Sequence, residues 1–201
     1  MKTVPWWSSE SFWRKCAIWV TAAMLVILIF LTFDTVAKIT AGGSERVPPY
    51  TVINQRVYYR FDNDRGYQVP VIGDAAPLFG ATLDAPAAEA LVNQGKLTIQ
   101  SRNCMNCHTL LGNGAYFAPD LTKSWLDPAW AAESVRERLM IDFLMDPETH
   151  ARTFGTGRRM PQLGITESEA RGIVAYLKWM SSIDTNGFPF AFPAIRQQGD
   201  R

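Results

Sequence analysis

Cys104-Met105-Asn106-Cys107-His108 has the spacing C-x-x-C-H, the attachment signature of a c-type haem. Two thiols at that spacing add across the two haem vinyl groups, and a His directly after the second thiol is held under the iron. Cys104 and Cys107 are the expected covalent sites and His108 the expected proximal ligand. A zinc site built on this cluster would need two more ligands, and His150 is the other histidine of the chain. A thioredoxin-type use of the Cys pair would need a βαβ setting, which the flanking pattern lacks. With 3 Cys and 2 His in 201 residues, neither a disulfide scaffold nor a haem–copper or di-iron centre can be assembled within this chain. Multi-metal chemistry would belong to a partner.

The second axial ligand decides between electron transfer and gas chemistry, because Met/His ligation fills both axial sites and raises the potential. The candidates are Met105, Met140, Met145, Met160, Met180 and His150. Met105 sits between the two Cys and cannot reach the distal face. Met140, Met145 and Met180 lie in helical patterns, where a core position explains them. Met160 lies in the Gly-rich loop Gly155-Thr156-Gly157-Arg158-Arg159-Met160-Pro161, stiffened by Pro161, and is the preferred ligand. Arg158 and Arg159 are equally open to pairing with haem propionates or to simple surface exposure.

Helical patterns surround these sites. Asp84 can cap a helix from Pro86 to about Arg102, with Ala90, Leu91, Gln94, Leu97 and Thr98 marking one face. Asp127-Pro128 opens a second helix to about Met145, stopped by Asp146-Pro147. Thr166-x-x-Glu169 is a capping box for a third, to about Ser182, with the apolar stripe Ala170, Ile173/Val174, Leu177 and Met180. Further upstream, Val57–Phe61 and Tyr67–Val71 flank Asp62-Asn63-Asp64-Arg65-Gly66 and suggest a β-hairpin, with Pro70 confining its strand to an edge. The Asp62-Asn63-Asp64 cluster lacks calcium-loop spacing and reads as a solvated turn.

At the N-terminal end, Cys16 to Phe33 is 18 residues without a charge, ten of them Ile, Leu, Val or Phe. Those ten supply about −3 to −6 kcal/mol toward membrane insertion, and as a helix the run spans about 27 Å. A cleavable signal has a shorter apolar region, about 7–15 residues, so an uncleaved anchor is expected. Lys2, Arg14 and Lys15 precede the run and place the N-terminus in the cytoplasm. The haem domain would then be periplasmic, at the inner membrane of a bacterium. Trp6, Trp7 and Trp13 suit an interfacial belt, and Cys16 reads as a packing residue. With 20 basic against 19 acidic residues, the chain has no basic excess for nucleic acid. An apolar fraction of 47% against 19% charged excludes a disordered chain. The expected organisation is a cytoplasmic tail (1–15), a transmembrane helix (16–36), a linker and β-like segment (37–83), a haem domain (84–188) and a C-terminal tail (189–201). The fold class is mainly α.

The order of helix, haem-binding Cys pair, Met loop and final helix resembles class I cytochrome c. That resemblance implies a close crossing of the first and last helices, for which Gly95, Tyr176 and Trp179 are the candidates. Three blocks are more specific: His108-Thr-Leu-Leu-Gly-Asn-Gly-Ala-Tyr-Phe-Ala-Pro-Asp120, Arg158-Arg-Met-Pro-Gln162 and Leu177-Lys-Trp-Met-Ser-Ser-Ile-Asp-Thr-Asn186. Together with the short tail and single anchor, they resemble the cytochrome c subunit of bacterial nitric oxide reductase over residues 10–40 and 85–188. Residues 43–83 depart from it, the family's link between anchor and haem domain being shorter.

The resemblance implies a mono-haem electron-transfer subunit, not an enzyme by itself. It would dock on a large polytopic catalytic subunit that holds haem b and non-haem iron and reduces NO to N2O in denitrification. A soluble periplasmic cytochrome c or small copper protein would supply the electrons. It further implies a calcium ion near the partner interface, at positions matching Gly114 and Tyr116. For the glycine, loop geometry is a competing explanation, and for Tyr116, packing in the haem pocket. The alternative functions are the mono-haem subunit of a related haem–copper oxidase and a free-standing membrane-tethered cytochrome c. A tethered shuttle would need a long flexible linker, and the expected one is short.

Overall fold

A computed structural model of the chain describes residues 5–40, 47–130, 133–150 and 157–190. Part of the linker (41–46), Gly155 and Thr156 of the Met loop, and nearly all of the C-terminal tail lie outside the described residues. The chain divides between Val47 and Pro48 into two compact units.

The first unit holds helix α1, Glu10–Thr40. Its stretch Glu10–Ala37 is long and apolar enough to cross a membrane, and none of its most apolar window is buried in protein. Such a helix, with apolar side chains exposed all round it, matches lipid rather than a protein core. The helix is longer than the expected span of 16–36, and residues 37–40 continue it instead of starting the linker. Backbone hydrogen bonding needs no apolar side chain, so the charged flanks Arg14, Lys15 and Asp34 extend the same helix.

The second unit is mainly helical with small strand elements. A hairpin of β1 (Gln55–Asp62) and β2 (Tyr67–Ala75) pairs antiparallel, with Tyr58 opposite Val71 and Tyr59 opposite Pro70. The turn forms as expected: Asp62 Oδ1 accepts from the Asp64 and Arg65 amides at 3.0 and 3.1 Å. Helix α2 runs Ala85–Ser101, with the Asp84 side chain capping the Ala87 amide. The two-residue strands β3 (Thr109–Leu110) and β4 (Asn113–Gly114) form a small second hairpin. Helices α3 (Glu133–Met145) and α4 (Pro147–His150) follow, and α5 spans Glu167–Ser181.

The Thr166/Glu169 capping box forms in both directions, and Ala170, Ile173, Val174, Leu177 and Met180 are all buried. The segment after Asp127 differs from expectation. Pro128–Trp130 is a single 3-10 turn, and α3 begins at Glu133. Trp130 packs edge-on against Phe143, with ring centroids 5.6 Å apart. Thirteen residues along an unbroken helix would separate them by about 20 Å, so Trp130 does not belong to the helix that carries Phe143.

The buried face of α2 also differs. Ala88, Val92, Gly95, Thr98 and Ile99 are buried, whereas Leu97 is 63% exposed and Ala90 faces solvent. Gly95 is the reason. A Cβ there would collide with the Gly172 carbonyl of α5, and a Cβ at Gly172 would lie 2.9 Å from the Gly95 nitrogen. The helices therefore cross glycine on glycine at Gly95 and Gly172. Trp179 donates to the Pro48 carbonyl at 2.9 Å and packs on Tyr50.

The first hairpin is fastened to α5 and the chain beyond it. The Tyr59 hydroxyl donates to the Ser181 carbonyl at 2.9 Å, and Arg65 pairs with Asp184 at 2.6 Å. Lys178, 1% exposed, donates to the carbonyls of Ile53 and Ala76 at 2.8 and 2.9 Å, so one ammonium ties both ends of the hairpin segment. The Trp125 ring lies 5.4 Å from the Lys178 ammonium and 5.0 Å from the Arg136 guanidinium. Burial pushes the Lys178 pKa down to about 8, against the pull of Glu137 and Glu133.

Gly95→Ala gains roughly 1 kcal/mol in helix propensity and incurs overpacking of about 1–3 kcal/mol. Because the obstacle is rigid backbone, the expected net loss in chemical unfolding is about 2 kcal/mol. Lys178 releases its proton near pH 8 when folded and near its ordinary 10.5 when unfolded. Between pH 8 and 10 the unfolded chain binds more protons there, so this residue makes stability rise with pH. An unfolding series across that window is expected to show the rise, and Lys178→Met to flatten it.

Candidate functional site

Cys104, Cys107, His108 and Met160 all line a single cavity of about 430 Å³. That size lies within the range of small-molecule and cofactor sites. The rest of the wall is largely apolar, with Ile99 from α2 and Ile173 and Leu177 from α5. The crossing at Gly95 and Gly172 is therefore what brings these walls together.

Local geometry presents the motif. Asn103 takes a left-handed conformation (φ 58°) directly after α2, a shape that Asn tolerates well. Cys104–Asn106 then forms one 3-10 turn. The His108 ring is oriented by a 2.8 Å hydrogen bond between Nδ1 and the Pro119 carbonyl. A carbonyl only accepts, so Nδ1 donates this bond and Nε2 is the ring nitrogen left to face a metal. Burial pushes the Cys104 thiol pKa up, its own backbone amide partly opposing.

The segment after His108 folds back over the motif. The Ala115 amide donates to Met105 and the Ala118 amide to Cys107, at 3.0 and 2.8 Å. Asp120 accepts from the Thr109 hydroxyl at 2.7 Å and the Thr122 amide at 2.8 Å. Gly114 (φ 116°) passes so close under the motif that a Cβ would collide with the His108 carbonyl. Tyr116 is 80% exposed at the cavity mouth, its hydroxyl donating to the Gly112 carbonyl at 3.3 Å.

Of the other sixth-ligand candidates, Met140 also lines the cavity, while Met105, Met145, Met180 and the exposed His150 do not. Met140 is 2% exposed and belongs to the hydrophobic core. Arg158 and Arg159 line the cavity, and Arg158 donates to the Phe117 carbonyl at 2.6 Å while stacking over its ring at 4.8 Å. Among the described residues, no three His, Cys, Asp or Glu side chains converge as a metal cluster. The donors present suit a porphyrin iron: two Cys sulfurs, one imidazole and one thioether around an apolar space.

The residues that the sequence did not single out are Arg102 and Pro119. Arg102 lines the cavity and forms a two-pronged ion pair with Glu169, its Nη2 lying 2.8 and 2.9 Å from the two carboxylate oxygens. Nothing in the sequence distinguishes it from a surface cation. The Pro119 contact uses a backbone carbonyl, for which no residue type is a signal.

An apolar anchor helix and a helical domain with this cavity define a membrane-bound c-type cytochrome. The cytochrome c family model matches residues 92–181. The chain is 37% identical over 110 residues to the C subunit of nitric oxide reductase from Stutzerimonas stutzeri, covering 54% of this chain and 70% of that protein. It is 35% identical over 111 residues to the same subunit from Cereibacter sphaeroides, covering 52% and 69%. With its counterpart from Paracoccus denitrificans it shares 34% over 104 residues, covering 49% and 64%. The chain belongs to the family of nitric oxide reductase C subunits, and as a c-type cytochrome it carries covalent haem c.

Gly114→Ala is expected to push the flanking segment off His108. The pyridine haemochrome of the purified chain should then show haem c content reduced severalfold, with helix content retained by circular dichroism.

Proposed function

We propose that this chain is the membrane-anchored, mono-haem electron-transfer subunit of a nitric oxide reductase. Cys104 and Cys107 would hold the haem covalently, and His108 and Met160 would ligate its iron. The observation that carries this reading is the convergence of those four side chains on one apolar cavity, in a chain of this reductase family. When bound, the haem supplies a one-electron ferric/ferrous couple. His108, oriented by the Pro119 carbonyl, and Met160 would both ligate the iron, which would leave no coordination site for NO and would favour the reduced state. Ile99, Ile173 and Leu177 keep water from the ring, which raises the potential further.

Electrons arrive from a soluble periplasmic cytochrome c or a small copper protein and leave for haem b of a large polytopic catalytic subunit. That subunit joins two NO molecules, with two electrons and two protons, into N2O and water. The N-terminus lies in the cytoplasm and the haem domain in the periplasm, as Lys2, Arg14 and Lys15 favour. A calcium ion at the partner interface, near Gly114 and Tyr116, belongs to the same reading. It would draw its oxygens from backbone carbonyls and from the partner, since those positions bring no cluster of carboxylates.

Purification through a tag on this chain in mild detergent tests the proposal. The expected preparation contains a polytopic partner, two haem b per haem c and non-haem iron, and consumes NO with a cytochrome c as donor. Copper in the partner, or haem c alone without a partner, would overturn it.

A further inference from the structure

Among the described residues around Met160 the chain has little regular structure of its own, and side-chain contacts with neighbouring segments hold it. Arg158 donates to the Phe117 carbonyl on one side. On the other side, Gln162 donates to the Met145 carbonyl at the end of α3, at 2.9 Å. The third contact comes from the haem motif itself. Arg102, two residues before Cys104, donates from Nη1 to the Leu163 carbonyl at 3.2 Å. The same guanidinium grips Glu169 through Nε and Nη2 at 2.8–3.2 Å. Glu169 in turn accepts from the Thr166 amide and hydroxyl at 2.8 and 3.1 Å, closing the cap of α5.

One planar fork thus joins the Cys motif, the Met160 loop and the first turn of α5. We propose that Arg102 and Glu169 are positioning residues that hold Met160 over the haem cavity and so set how readily the iron exchanges that ligand. The proposal rests on Met160 being the axial ligand. Neither residue needs to touch the iron, since each acts through the position of Leu163, three residues from Met160. Arg suits the role because it can meet two carboxylate oxygens and a carbonyl at once, whereas a Lys ammonium is a point charge. Hydrogen bonds between charged groups are stronger than neutral ones, and solvent weakens this pair because its side chains are 34% and 23% accessible. Loss of the clamp is expected to change ligand exchange roughly tenfold.

The test measures imidazole binding to the ferric haem, and the methionine–iron charge-transfer band, in the full-length holoprotein in detergent. Arg102→Gln is expected to raise imidazole affinity about tenfold and weaken the band at unchanged haem content. Glu169→Gln should do the same to a smaller degree, Arg102→Lys should fall between wild type and Arg102→Gln, and the double variant should not exceed the larger single effect. Met160→Ala serves as the reference and should abolish the band. Wild-type affinity and band in both Arg102→Gln and Glu169→Gln, with Met160→Ala altered, would overturn the clamp alone. An unchanged Met160→Ala would overturn the ligand assignment and the clamp with it. If Arg102→Gln yields no holoprotein, Glu169→Gln decides.

Discussion

Gly95 of α2 and Gly172 of α5 lie so close that neither position has room for a Cβ. Contact at that distance lets Val92 and Ile99 of one helix share one buried hydrophobic core with Ile173 and Val174 of the other. It also places the ends of the two helices around one space. α2 leads through Arg102 and Asn103 straight into the Cys pair, and α5 contributes Ile173 and Leu177 to the opposite part of the wall lining. Any residue larger than glycine at the crossing would separate the walls and open the cavity to water.

The rest of the site is hung on this frame by backbone groups more than by side chains. The Pro119 carbonyl orients His108, and the Met105 and Cys107 carbonyls receive the amides of the returning segment. Such contacts tolerate substitution of the residues that make them, provided the path of the chain is kept. Gly114 is the exception, because its path runs against the His108 carbonyl. The first hairpin adds a further layer on α5. Lys178 is a buried cation there, tolerated because two carbonyls and an indole face receive it.

Much of this was legible in the residues. The Cys pair and following His have one common chemical use, and the Thr166/Glu169 box and the Asp62 turn are local events needing no distant partner. The apolar run from Cys16 to Phe33 is likewise a local property. Periodicity placed the face of α2 only in part, since Thr98 is buried and Leu91 packs on the core whereas Leu97 is exposed. Apolar spacing cannot reveal that a small residue is needed on the opposite side. It failed also after Asp127, where the packing of Trp130 on Phe143 overrides a good helix start.

The sequence by itself determined the cofactor chemistry and the apolar helix, because each rests on spacing or composition within a short stretch, while the family was legible as a resemblance carried by three separate motif blocks. Tertiary structure alone decided which face of α2 is buried, which methionines reach the haem cavity, and that Arg102 joins the Met160 loop to Glu169. Those facts depend on close approach between segments some 60 or more residues apart, as with Arg102 and Glu169. The glycine–glycine crossing sets that approach, and it leaves no apolar or charged signal in the chain.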